Sequence, residues 1–417
     1  MHSTPVANRF HIAIFGRRNA GKSSLINALT GQEIAVTSEV AGTTTDPVFK
    51  AMELLPIGPV VLIDTAGLDD EGELGRKRVE KSYEVLRRCH FAVVVIDSRT
   101  GWTDFERAFL DELRRREIPA LAVLNKADLV LADRLGDLLK ETPPGTKAVA
   151  ASAVTGEAVT EIKAQIVAIG WKDPVEPALL GDLVAPGAMA LLVTPIDKAA
   201  PKGRLILPQQ QVIRDLLDHG ALVSVTRETE LERALSLLAE PPAAVITDSQ
   251  AFKVVAAVTP PSIPLTSFSI LFARQKGDLA ELIGGIGRIA ALRRGEKVLI
   301  VEGCTHHRQD DDIGTVKIPR WIREIAGDEI RFDWASGASF PRDLSDYAVV
   351  VHCGGCMLNR REMTYRIAKA REEGPAITNY GLLIAYVTGI LERAVAPFPE
   401  ALQAWEEAVT AGARRRP

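Results

Sequence analysis

The run His11-Ile-Ala-Ile-Phe15, then Gly16-Arg-Arg-Asn-Ala-Gly21-Lys22-Ser23, then Ser24 to Leu29 reads as a short apolar strand, a G-x-x-x-x-G-K-S/T loop and a helix. Such a loop wraps phosphate only where it joins a strand to a helix N-terminus, because the backbone N–H groups and the helix dipole must converge on one anion. That requirement ties the chain to an α/β architecture. Strand-like runs recur at 60–64, 91–96, 120–124 and 147–151 with helical stretches between, the pattern of a doubly wound, mostly parallel sheet.

Three further motifs follow in order. Asp64-Thr-Ala-Gly67 ends a strand, placing a carboxylate near a metal and a glycine N–H at a γ-phosphate. Asn125-Lys126-Ala127-Asp128 ends another, and its aspartate can accept both the N1–H and the exocyclic amine of guanine. Adenine lacks that donor pair and would leave Asp128 unpaired, so GTP is favoured over ATP. Ser152-Ala153 supplies the loop that touches the guanine carbonyl. Within the first loop Asn19, Ala20, Gly21 and Ser24 complete the phosphate cradle. There Lys22 neutralises the β and γ oxygens, and the Ser23 hydroxyl holds Mg2+.

The length of 417 residues suggests about three domains. We expect a P-loop GTP-binding domain over 1–173, a dimerisation domain over 185–265 and an iron–sulfur cluster-binding domain over 266–400, all α/β, the last two with parallel sheets. The second carries strand candidates at 190–193, 222–225, 244–247 and 264–267 and helices at 209–219 and 228–238. The third carries a helix at 278–294 and strands at 297–301, 347–351 and 376–379. Lys172 to Gly187, rich in Gly and Pro, reads as a linker. A net charge of −4 and one short basic run, Arg414-Arg-Arg416, speak against a nucleic-acid partner. No apolar stretch approaches the 18 or more residues of a membrane span, and no signal pattern opens the chain. A cytoplasmic location is expected.

Of four cysteines, three sit in Cys304-Thr-His306 and His352-Cys353-Gly-Gly-Cys356, each just beyond a strand. In parallel sheets ligands gather past the carboxyl ends of strands, so the two segments can converge. Soft thiolates suit an Fe–S cluster, Zn2+ or Cu(I). Zinc remains open through Cys304, His306, Cys353 and Cys356. A 4Fe-4S cluster on Cys304, Cys353 and Cys356 would leave one iron for His306, His352 or an outside group. His352 also has a plain reading as a buried residue beside the site, His307 reads as a surface neighbour, and Cys89 as a packed thiol.

The GTP motifs, with Gly42-Thr-Thr-Thr-Asp46, resemble over about residues 9–171 the GTPases that include the tRNA-modification and Era-type proteins. The resemblance implies that Thr44 or its neighbour Thr43 closes onto Mg2+ in the GTP state, so that Lys22, Thr44, Asp64 and Gly67 serve hydrolysis. It also implies that Asn19 binds K+, against a plain role in shaping the loop. Leu68 stands where many such GTPases carry a water-orienting glutamine. Turnover should therefore be slow and depend on K+, on dimerisation or on the acidic segment Asp69-Asp-Glu-Gly-Glu73.

With the cysteine segments added, the whole chain resembles the HydF family of FeFe-hydrogenase maturation GTPases. That resemblance implies a homodimer with a 4Fe-4S cluster and a scaffold role. Its partners would be two radical-SAM maturases, which supply a di-iron precursor, and the apo-FeFe-hydrogenase that receives it. The chain has no C-x-x-x-C-x-x-C pattern of its own for radical chemistry. The other reading is a tRNA-modification or ribosome-assembly GTPase with a structural zinc site.

Overall fold

Strands with consecutive apolar residues need cover on both faces, and the N-terminal sheet has it. In the computed structural model, which describes residues 4–31, 47–69, 79, 81–171, 177–195, 205–303, 312–337 and 340–413, the chain divides into two compact units at Val175/Glu176. The first holds β1 (Phe10–Gly16), β2 (Val48–Leu54), β3 (Gly58–Asp64), β4 (Phe91–Asp97), β5 (Ala120–Asn125) and β6 (Lys147–Ala150) in the order β2-β3-β1-β4-β5-β6. All neighbours are parallel except β2 on β3. Alternate residues face opposite ways. Ile12, Ile14, Val93 and Val95 pack with Leu25, Ile26 and Ile162 on one face. Ala13, Phe15, Val94 and Ile96 pack with Phe109, Leu113 and Leu138 on the other.

Expected and observed strands agree here except for β2, an edge strand whose residues are mostly exposed or half-buried. Chain order reverses about β1, between β3 and β4, so the loop after β1 lies at the switch point where ligands bind open sheets.

The second unit carries two four-stranded sheets, parallel throughout. The first contains β7 (Met189–Val193), β8 (Leu222–Thr226), β9 (Ala244–Thr247) and β10 (Leu265–Ser267) in the order β10-β9-β7-β8. The other contains β11 (Lys297–Glu302), β12 (Arg331–Ser336), β13 (Val349–His352) and β14 (Ala376–Asn379) in the order β12-β11-β13-β14. One hydrophobic cluster runs through both, from Leu179 to Ala401.

Two expectations change. The stretch expected as a linker is packed from its middle onward. Leu179 and Leu180 are buried, and the backbone N–H groups of Leu179, Leu180 and Gly181 all donate to the Asp215 carboxylate. The third region also has a strand more than expected, β12, an edge strand that exposes Arg331, Asp333 and Trp334. No helix among the described residues is long and apolar enough to cross a membrane.

Candidate functional site

The nucleotide motifs meet at the carboxyl ends of β1, β3, β5 and β6. Gly16 and Gly21 frame the first loop at φ +150° and +94°, and a Cβ on Gly21 would stand 2.2 Å from Asn125 Nδ2. That close approach exists because Asn125 bridges two loops. Its Nδ2 donates to Ala20 O at 2.9 Å, and its Oδ1 accepts the Ala153 N–H at 3.1 Å. Lys126 adds a second tie through Nζ, to Asn19 O at 2.6 Å and Asp97 Oδ2 at 2.7 Å. Hydrogen bonds from Arg99 first, and then Lys126 against the opposing effect of burial, hold Asp97 well below the usual carboxylate range. Asp97 was not expected in the site; its position at the end of β4 was the available signal.

Asp128 is exposed in the turn Ala127–Leu129, open to a base, while Ser152 is buried and its Oγ accepts the Thr155 N–H at 3.2 Å. Asn19 and Ser24 are exposed. Lys22 is buried, with Nζ 3.1 Å from Gly16 O and 2.9 Å from Arg17 O, inside the ring of the loop.

Ser23 Oγ donates to Asp64 Oδ2 at 2.6 Å. The other oxygen, Asp64 Oδ1, is buried with no hydrogen-bond partner among the described residues. Burial raises the Asp64 pKa, against the Ser23 bond and the charges of Lys22 and Lys50. A hydroxyl and an underbonded carboxylate are hard oxygen donors, and they fit Mg2+. Thr43 and Thr44, expected to close the site, lie outside the described residues.

Gly67 is buried, and the next residue turns its side chain into the core: Leu68 packs with Phe15 and Ile63 while its N–H donates to Gly16 O at 3.3 Å. Asp69 accepts Arg18 N–H at 2.6 Å and Arg17 Nε at 3.2 Å; the remainder of the acidic segment, 70–73, lies outside the described residues.

In the second unit β11 and β13 are neighbours, and chain order reverses between them. The residue after each therefore lies at a switch point. Cys353 N–H donates to Val301 O at 2.8 Å, and Cys353 Sγ accepts the Gly303 N–H at 3.0 Å and the Gly355 N–H at 3.4 Å. Gly303 precedes Cys304; Cys304 and His306 lie outside the described residues. Burial pushes the Cys353 thiol pKa up, and the two N–H donors pull it down. The net shift is upward, and the two N–H donors are the part of the surroundings that favours the thiolate form a metal would take. Among the described residues no three His, Cys, Asp or Glu side chains gather as a metal site.

His352 is placed differently from a free ligand. It is fully buried, with Arg366 Nη1 2.9 Å from Nε2 and Cys353 O 2.8 Å from Nδ1. Arg366 can only donate, so Nε2 accepts and Nδ1 carries the proton. Burial first, and then the Arg366 charge, pushes the pKa down to about 3. Both ring nitrogens are thus engaged within the protein. Arg366, itself fully buried, also donates to Glu362 Oε1 at 2.9 Å and Gly337 O at 3.2 Å. Neither Arg366 nor Glu362 stood out in the sequence, because their pairing depends on tertiary placement. Cys89 is fully buried, with Sγ 2.9 Å from Phe91 O, a packed thiol.

Known proteins divide along the same lines. Residues 11–126 match the family model of the 50S ribosome-binding GTPase, 179–277 that of the hydrogen maturase F dimerization domain, and 280–397 that of the hydrogen maturase F tetramerization domain. A tRNA modification GTPase MnmE from Synechococcus sp. (strain JA-3-3Ab) is 37% identical over 169 residues, covering 39% of this chain and 35% of the relative. GTPase Der of Sulfurimonas denitrificans is 35% identical over 138 residues, 32% of this chain and 28% of the relative. The chain thus spans about a third of the length of these curated relatives. Among solved structures, Aquifex aeolicus Era bound to GDP.AlF4- aligns at 20% identity and a TM-score of 0.35, over 52% of this chain and 92% of that one.

Proposed function

Because this chain belongs to the hydrogen maturase F family, we propose that it is a GTP-hydrolysing scaffold whose second unit holds a 4Fe-4S cluster on Cys304, Cys353 and Cys356. In this reading it carries a di-iron precursor from radical-SAM maturases to apo-FeFe-hydrogenase, works in the cytoplasm and forms a homodimer. The observation that carries the cluster reading is the 3.0 Å bond from Gly303 N–H to Cys353 Sγ, which sets the residue before Cys304 against the second cysteine loop. When bound, a cluster on three thiolates offers one iron to an exchangeable ligand. His306 or an outside group fills that position, since the nitrogens of His352 are engaged.

In the first unit Lys22 neutralises phosphate charge, and Ser23 with the underbonded Asp64 holds Mg2+, completed by Thr43 or Thr44. The N–H of Gly67 faces the γ-phosphate. Asp128 reads guanine, with the Ser152-Ala153 loop held to the phosphate loop by Asn125. The buried side chain of Leu68 offers nothing to orient water, so turnover is slow and K+, bound at Asn19, supplies the missing charge. GTP hydrolysis measured in KCl and NaCl at equal ionic strength should be several-fold faster in KCl. Equal rates overturn the K+ role.

Anaerobic purification with iron and sulfide analysis tests the scaffold. A brown protein with about four irons per chain supports it. A colourless protein with one zinc sinks it and returns the site to a structural role.

A further inference from the structure

Lys276 ends the helix Phe268–Lys276, in the segment that matches the dimerization-domain model, and reaches a loop 79 to 82 positions along the chain. Its Nζ lies 3.0 Å from Gly355 O, 3.3 Å from Cys356 O and 2.7 Å from Leu358 O. The residue is only 4% exposed, and Nζ stands 4.8 Å from the centre of the Phe272 ring one turn back. An ammonium has three N–H donors and no acceptor, and three carbonyls of one loop meet it.

Burying a cation is expensive unless its donors are all used. Here the turn that carries Cys353 and Cys356 supplies three carbonyls to it. That turn needs Gly355 at φ +63°, a left-handed conformation beside Met363 Cε, which a Cβ would approach to 3.1 Å. Within the turn the Gly355 N–H points at Cys353 Sγ, as the Gly303 N–H does from the facing loop, and the lysine holds the carbonyls that follow. The ammonium thus pins the segment that carries both thiols and adds a fixed positive charge to it.

We propose that Lys276 is a positioning residue of the cysteine site: it fixes the Cys353–Leu358 turn, and with it the placing of the two thiols, and it raises the reduction potential of the group they hold. This rests on the cluster reading above, and the test separates the two. Lys276→Met keeps the length and the packing but removes donors and charge.

In the metal-free chain, amide exchange over 353–358 should become at least about tenfold faster in the variant while the amides of β11 and β13 keep their rates. In the iron-loaded chain, the midpoint potential should fall by about 60 mV, a tenfold weaker hold on the added electron. Unchanged exchange in the turn, acceleration shared equally by β11 and β13, or an unshifted potential overturns the proposal. Should Lys276→Met not fold, Lys276→Leu, which also lacks donors and charge, is read by the same measurements. A wild-type chain that takes up no iron overturns the cluster reading, and the exchange comparison still decides whether Lys276 orders the turn.

Discussion

Gly21 shows how narrow the tolerance is at a single residue. With φ +94° and Asn125 Nδ2 2.2 Å from where a Cβ would stand, Gly21→Ala must push the amide off Ala20 O. GTP affinity by fluorescent-nucleotide titration should fall tenfold or more, with the stability of the second unit untouched. His11, buried at the start of β1, carries a pH signature of its own. Burial first, opposed by the bond to Arg9 O and aided by the Arg88 charge, lowers its pKa from 6.5 to about 4. The folded state refuses a proton that the unfolded chain accepts, so stability is fully present above about pH 6.5 and is lost as pH falls towards 4. The slope is at most about 1.4 kcal/mol per pH unit. Urea unfolding at pH 7 and pH 5, read by hydrogen exchange of β1 amides, should show a smaller loss in His11→Phe than in the natural chain. Arg366 belongs at this scale too. Arg366→Met strands Glu362 in the interior and should destabilise the second unit by about 3–5 kcal/mol in thermal unfolding.

At the scale of elements, the packing of the helix Leu279–Ala290 on β14 depends on Gly285, whose Cβ would meet Ile377 O at 2.2 Å. Gly285→Ala forces helix and strand apart. A loss of about 1–3 kcal/mol is expected, together with a lower iron content after anaerobic reconstitution. Central strands such as Phe91–Asp97 were legible because both faces are covered and the whole run is apolar. The edge strands β2, Val-Phe-Lys-Ala-Met-Glu-Leu, and β12, Arg-Phe-Asp-Trp-Ala-Ser, were not, since each interrupts its apolar residues with two charged ones. The phosphate and guanine motifs were legible because each is a contiguous run beyond a strand. Asp97, Lys276 and Arg366 were not, because their partners lie 29, 79 and 14 positions away and only the fold brings them together.

On the scale of the whole molecule, the nucleotide motifs and the cysteine motif fall in different compact units, 1–175 and 176–417. Cys353→Ser should therefore lose iron while its GTP turnover stays within about twofold of the natural rate. A collapse in turnover would show that the units are not independent in function. The second unit presents the opposite case. Its two sheets match two separate family models, at 179–277 and 280–397, yet share one hydrophobic cluster and the Lys276 tie. Laboratory recombination with a relative should consequently be better tolerated at a join near Val175/Glu176 than inside the second unit. A chimera joined between residues 277 and 280 would draw the two parts of one core from different parents, and it should melt at a lower temperature than one joined near 175.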